Sequence, residues 1–170
     1  LMLANLFRSA SIILFLSALL TGCGFQLKGS AQNSDPSLIG QSIRLISNEP
    51  RNELTAAISQ QLKLAGAILN EPEAATLVLR LGPEQFQQRN LSLTAQARSA
   101  EVELTMSTHI SLNRADDVLI PKSDASVVRQ FLNDPQNVVG KTEELRLLRE
   151  EMYVDLAAQI IRRIGHSLNN

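Results

Sequence analysis

A chain of 170 residues with 16 Lys and Arg against 17 Asp and Glu carries a formal net charge of −1. So even a balance argues against bulk nucleic-acid binding, which needs a clustered basic surface, but leaves room for a local basic patch facing an anionic ligand. With no Trp and 4% aromatic residues there is almost no material for stacking bases, and the single cysteine, Cys23, rules out an intrachain disulfide framework.

Leu1–Leu20 has one charge, Arg8, and then an apolar run, Ile12–Leu16 with Ala18–Leu20. An apolar core of roughly ten residues suits a secretory signal, whereas a membrane-spanning helix needs about 20. The run ends in Leu20-Thr21-Gly22-Cys23. Small residues before a cysteine let a peptidase bind the extended backbone closely, and the thiol can take a thioether-linked diacylglycerol. The tetrad resembles a bacterial lipobox, with Thr21 as a less common second residue. The expectation is a signal peptide over 1–22 and a mature Cys23 bearing diacylglycerol and an N-acyl chain such as palmitate. An uncleaved signal anchor with an incidental thiol is the plainer alternative. More than one chain makes anchoring stable, at ~0.8 kcal/mol per buried methylene. Residue 24 is Gly; an Asp there resembles the inner-membrane retention signal of enteric bacteria, so Gly24 favours the outer membrane. Removing 22 residues from 170 leaves about 148, enough for one domain with one sizeable core.

Residues 23–40 are rich in Gly, Ser, Asn and Asp and read as a tether, with one early extended piece at Gly24–Leu27. Residues 41–170 read as the globular domain. Ser42–Ser47 is apolar and β-branched, a buried strand. Asn48-Glu49-Pro50 offers a helix start, and Leu54, Ile58 and Leu62 make one apolar stripe to about Ala65, where Gly66 ends the helix. Ala67–Leu69 is a short strand. Ala75–Leu81 is another, with Leu77, Leu79 and Leu81 on one side, and Gly82-Pro83 interrupts it. The polar, Gln-rich stretch 84–97 reads as a strand end or a loop.

Arg98–Asn113 is the clearest strand. Val102, Leu104, Met106, Ile110 and Leu112 share one face, and Glu101, Glu103, Thr105, Ser107, His109 and Ser111 share the other. Such alternation implies one covered and one wet face. A turn over 113–117 leads to an extended segment, Val118–Phe131, broken at Pro121. There Ala125, Val127, Arg129 and Phe131 alternate with Ser126, Val128 and Gln130. A loop runs through Gly140-Lys141. The last helix spans Thr142–Ile164, with Leu145, Leu148, Met152, Leu156 and Ile160 as its apolar stripe and Gly165 as its end. The expected fold is α+β, a two-layer sandwich of two helices packed on one face of a four-stranded mixed sheet.

Catalytic chemistry has no foothold in the sequence. His109 and His166 are far apart, no metal-ligand spacing occurs, and neither a nucleophile elbow nor a phosphate-cradling Gly loop is present. Glu101 and Glu103 could form an acid–base pair, about 7 Å apart on one strand face, but neither is near an identified partner and a solvated face explains them better. Arg89 and Arg98 flank the Gln-rich segment, and Lys122, Arg129 and Lys141 lie in the later strand and loop. Partly solvated Arg and Lys at such places suit a phosphate-bearing lipid; ordinary surface charges are the alternative.

From the last third of the chain a family resemblance emerges. Val128–Gln136 (Val-Arg-Gln-Phe-Leu-Asn-Asp-Pro-Gln), Lys141, Glu150–Tyr153 and Leu156–Arg163 resemble the LptE family of lipopolysaccharide-assembly lipoproteins. So does Cys23–Lys28, with Gln26 in place of the family's His, and so do Leu62–Gly66 and Leu79–Gly82. The stretch 85–96 matches poorly. The resemblance implies a non-enzymatic protein on the periplasmic side of the Gram-negative outer membrane. It implies a plug within the LptD β-barrel that supports lipopolysaccharide delivery to the outer leaflet. It also implies two helices on a four-stranded sheet and direct lipopolysaccharide binding, with Lys141 matching the implicated Lys and Arg98 or Arg89 the second basic residue. Tyr153 is expected to pack in the core and not to touch ligand. No metal, no nucleic acid and no cofactor beyond the lipids on Cys23 are expected. The alternatives are a binding subunit of another outer-membrane lipid-transport or assembly complex, a periplasmic hydrolase, and a chaperone that shapes the barrel without touching lipid.

Overall fold

Strand β1 (Ser42–Ser47) opens the sheet, and the chain behind it bends at 48–51 before helix α1 (Glu53–Leu64) begins. The computed structural model describes residues 36–69, 75–93, 99–132 and 138–169. The N-cap of α1 is Asn52, four residues after the expected start: its backbone is extended and its side chain accepts from Thr55 N at 2.8 Å. Asn48-Glu49-Pro50 instead forms the bend. Ser47 Oγ accepts from Glu49 N at 3.1 Å, and Thr55 Oγ1 donates to Glu49 O at 2.9 Å. Leu54, Ile58 and Leu62 are buried as one stripe. The helix ends as its sequence suggests. Ala67 N donates to Leu62 O and Gly66 N to Lys63 O, both at 3.0 Å, and Gly66 takes a φ of 87°. This paired closure needs a residue free to be left-handed.

Strand β2 (Ile68–Leu69) lies parallel to β1, and β1 lies parallel to β3 (Leu77–Leu81). Beyond the Gly82–Glu84 break the chain pairs again as β4 (Gln85–Leu93). The longest strands, β5 (Ser99–Arg114) and β6 (Asp117–Leu132), form an antiparallel hairpin turned at Ala115, which has a φ of 48°. One edge of β5 takes β6 along nearly its whole length. Its other edge takes β3 opposite 110–114 and β4 opposite 99–107.

Among the described residues the sheet therefore has six strands, ordered β2-β1-β3-β5-β4 with β6 also on β5, and not the four expected. The edge β2 is the short strand read at Ala67–Leu69, and the strand that goes beyond the reading is the Gln-rich β4. Local hydrophobicity hides β4, because even its inward side is mostly polar: Phe86 stands opposite Met106, but Gln88 and Asn90 stand opposite Leu104 and Val102, and Gln85, Gln87 and Arg89 opposite Ser107, Thr105 and Glu103.

Helix α2 (Val138–Leu168) starts four residues before Thr142 and runs through Gly165 to Leu168. Gly165 is buried, and its carbonyl accepts from Ser37 Oγ at 3.2 Å, so the small residue serves close packing and not termination. Both helices cover one face of the sheet. Between the layers lie Leu54 and Ile58 of α1, Met152, Leu156 and Ile160 of α2, and Leu79, Leu104, Met106 and Leu112 of the strands. Each fully buried Leu, Ile or Met contributes about 1.5–3 kcal/mol. Ala125 and Phe131 of β6 join this core, which settles the inward side of that strand. Leu38, in a short 3-10 turn upstream of β1, is also fully buried there.

Candidate functional site

The sheet face away from the helices is a polar surface built by strand alternation. From β5 come Glu103, Thr105, Ser107, His109 and Ser111. Across the hairpin stand Gln130, Val128, Ser126 and Asp124, each opposite one of the first four. Arg80 lies opposite Ser111 on the other side. His109 Nδ1 pairs with Asp124 across the hairpin. Two depressions adjoin on this face and share His109. One, of about 240 Å³, is lined by Asn48, Arg80, Gly82, Pro83, Ser111 and Lys122 among others. The other, of about 220 Å³, is lined by Gln85, Thr105, Ser107, Thr108, Asp124 and Ser126 with His109.

Among the described residues no group of three or more His, Cys, Asp and Glu is arranged to hold a metal ion. Glu101 and Glu103 do share a face, but Glu103 is already engaged. Arg89 Nη2 donates to its Oε1 at 2.8 Å and Gln130 Nε2 to its Oε2 at 3.5 Å. Sequence spacing shows the two carboxylates and hides this cross-strand partner, because β4 is not recognisable as a strand.

The basic residues singled out by sequence divide. Arg89 is largely exposed on the wet face beside Glu103. Lys141 lies in the first turn of α2, half-buried, and not in a preceding loop. Helix α2 runs antiparallel to β6, with Arg163 at Ser123 and Asp155 at Arg129, so its first turn lies toward the end of β6 that pairs with the start of β5, the end that also carries Arg89. Arg129 is committed to Asp155 of α2. Cys23, Arg98 and the Gly24–Leu27 piece lie outside the described residues.

The helix side holds a second polar cluster that sequence analysis misses. Tyr153, 7% exposed, donates from its hydroxyl to Glu84 Oε1 at 3.0 Å. Burial first, and then the hydrogen bond to Glu84, push its phenol up to about 12. The Arg149 guanidinium sits 4.0 Å from the Phe86 ring centroid, a cation–π contact between α2 and β4. Further along the exposed side of α2, Arg146 pairs with Glu143 and Glu150; its hydrogen bonds hold the Glu143 carboxyl below the usual range.

No helix among the described residues is long and apolar enough to cross a membrane.

The family model "LptE: Lipopolysaccharide-assembly" matches residues 40–164. The LPS-assembly lipoprotein LptE of Yersinia enterocolitica is 33% identical over 165 residues, covering 92% of this chain and 75% of that protein. The protein of the same name from Photorhabdus laumondii is 27% identical over 159 residues, covering 92% and 85%. Among solved structures, rare lipoprotein B from Shewanella oneidensis aligns with a TM-score of 0.67 at 24% identity, over 75% of this chain and 96% of that one. Lipoprotein B from Nitrosomonas europaea aligns with a TM-score of 0.67 at 20% identity, over 84% and 91%. These two likenesses establish the shared α+β fold. With the family model spanning most of the sheet and both helices, the chain belongs to the LptE family of lipopolysaccharide-assembly lipoproteins.

Proposed function

We propose that this chain is a non-enzymatic outer-membrane lipoprotein, anchored through acylated Cys23 on the periplasmic face, that seats in an LptD-type β-barrel and contacts lipopolysaccharide directly. The observation that carries this reading is the division of the sheet. One face is consumed by a two-helix core, and the other is an open surface of hydroxyl, amide and charged groups. A wet face of that kind suits a polar barrel lumen and phosphorylated saccharide better than it suits an apolar partner. The lipid-binding end is the one with Lys141 and Arg89, and Arg98 is the further basic residue that the family resemblance implies. A cation there pairs with lipid A or core phosphates through charge-assisted hydrogen bonds. The lipopolysaccharide-assembly names of the Yersinia and Photorhabdus relatives support the same assignment.

The test is lipopolysaccharide capture by the purified lipidated chain and by Lys141→Asp. The variant captures about tenfold less at equal concentration, as loss of a charge-assisted bond and its replacement by a like charge require. Equal capture removes Lys141 from the contact. A lipidated chain that captures no lipopolysaccharide at all leaves only the barrel-docking role.

A further inference from the structure

We propose a second anion site, in the middle of the open sheet face, that takes a phosphate group carried on a saccharide. It rests on two local irregularities that converge on one depression. The first is Gly82. Strand alternation directs residue 82 to the outer face, two residues after Arg80, and a Cβ there would stand 3.2 Å from His109 Cβ and 3.4 Å from His109 N. The missing side chain lets His109 close directly against the strand beside Arg80, where both line the same depression. Gly82 is fixed in place, its N–H donating to His109 O at 2.8 Å and its carbonyl accepting from Thr108 Oγ1 at 3.0 Å.

The second irregularity is a bulge in β6. The register of the hairpin slips between Ile110 and Leu112, which pair with Ser123 and Ile120, so Pro121 and Lys122 stand together opposite Ser111. Bulges re-aim side chains and occur next to functional sites. This one is braced: Ser123 Oγ donates to Pro121 O at 2.8 Å and accepts from Arg163 Nη2 of α2 at 2.7 Å. With Ser123 held by the helix, Lys122 lines the 240 Å³ depression together with Arg80.

Among the described residues neither Arg80 nor Lys122 has an ion-pair partner, and both are exposed. Two cations converging on a cavity with no carboxylate of their own suit a phosphate oxygen cluster. Asp124, which lines the adjoining depression, is paired with His109. The adjoining depression offers Gln85, Thr105, Ser107 and Ser126, groups that exchange hydrogen bonds with sugar hydroxyls. A phosphorylated sugar laid across His109 would satisfy both depressions at once. Arg80 stands opposite Ser111, eight residues along β5 from the Glu103–Arg89 pair, a separation on the order of 26 Å at ~3.3 Å per residue. The site is thus separate from the Lys141 end, and it rests on the function proposed above only for the natural source of the sugar phosphate.

The test titrates the full chain with glucose 1-phosphate, inorganic phosphate and glucose at constant ionic strength, following backbone amide shifts by NMR. Glucose 1-phosphate gives saturable shifts centred on Arg80, His109 and Lys122, and binds more tightly than inorganic phosphate. The double variant Arg80→Gln/Lys122→Gln weakens it about tenfold or more with the melting temperature unchanged, since both side chains are exposed. Three results overturn the proposal: absence of saturable shifts, inorganic phosphate binding as tightly as the sugar phosphate, or unchanged affinity in the double variant. Any of these, with wild-type capture of lipopolysaccharide intact, leaves the proposed function standing. Loss of capture on Lys141→Asp alone bears on that function and not on this site.

Discussion

Tyr153 of α2 donates a 3.0 Å hydrogen bond to Glu84, and the same carboxylate accepts from Asn52 Nδ2 at 3.3 Å, so one side chain ties both helices to the break between β3 and β4. Asn52 caps α1, and Glu84 N–H donates to Glu49 Oε2 at 3.2 Å, which fastens the bend before that helix to the same point. A strand interruption would otherwise be a weak place in the sheet; here it is where three elements meet.

Replacing Tyr153 with Phe keeps the packed ring and removes only the hydroxyl. The cost is about 1 kcal/mol, read as a lower urea midpoint at unchanged slope. A cost near zero would mean that Glu84 is held by Asn52 alone.

The same contact sets an alkaline limit. Burial and Glu84 raise the Tyr153 phenol to about 12, above its value of about 10 in the unfolded chain. The folded state therefore keeps a proton that the unfolded state releases. Its stabilising contribution is complete below pH 10 and is lost as pH rises from 10 toward 12. Melting temperature should fall across that window in the wild type and fall less in Tyr153→Phe. Parallel declines in the two proteins would show that other groups govern alkaline unfolding.

Gly66→Ala tests the end of α1. The substitution forces a left-handed backbone on a residue with a Cβ, 3.1 Å from Ile39 Cγ1. Because both effects oppose folding, the loss is about 1–2 kcal/mol. Chemical denaturation gives the value; a stabilised variant would contradict the cap geometry.

Arg89→Ala separates stability from contact. Its partner pair with Glu103 is mostly solvated on the Arg side, at 71% exposure, so stability changes by less than about 1 kcal/mol. Lipopolysaccharide capture should nonetheless drop if that end of the sheet receives phosphate. A large drop in melting temperature would instead make Arg89 a structural residue.

Periodicity made the core legible in the sequence. Leu54, Ile58 and Leu62, the three leucines of β3 and the apolar side of β5 all face inward because each pattern matches the period of its element. What stayed hidden arises between elements. Strand β4 is polar at most positions and exists through pairing with β5, and Asn52 outcompetes Asn48 as a cap because Thr55 meets both its side chain and the Glu49 carbonyl. Gly165 reads as a helix end but is a packing position against Ser37. Family likeness points to Lys141, while its seat on the first turn of α2 is not legible in the sequence. Arg80 and Lys122 look like scattered surface charges until the close approach of His109 to Gly82 and the bulge at Pro121 bring them to one depression.

The most direct check is isolation of the tagged full-length chain from outer membranes without crosslinking. Mass spectrometry of residue 23 and of the co-eluting proteins is then read from one sample. The expected result is a triacylated Cys23 peptide together with an LptD-type barrel in near-equimolar amount. A free thiol at Cys23, or elution without any such barrel, would contradict the account.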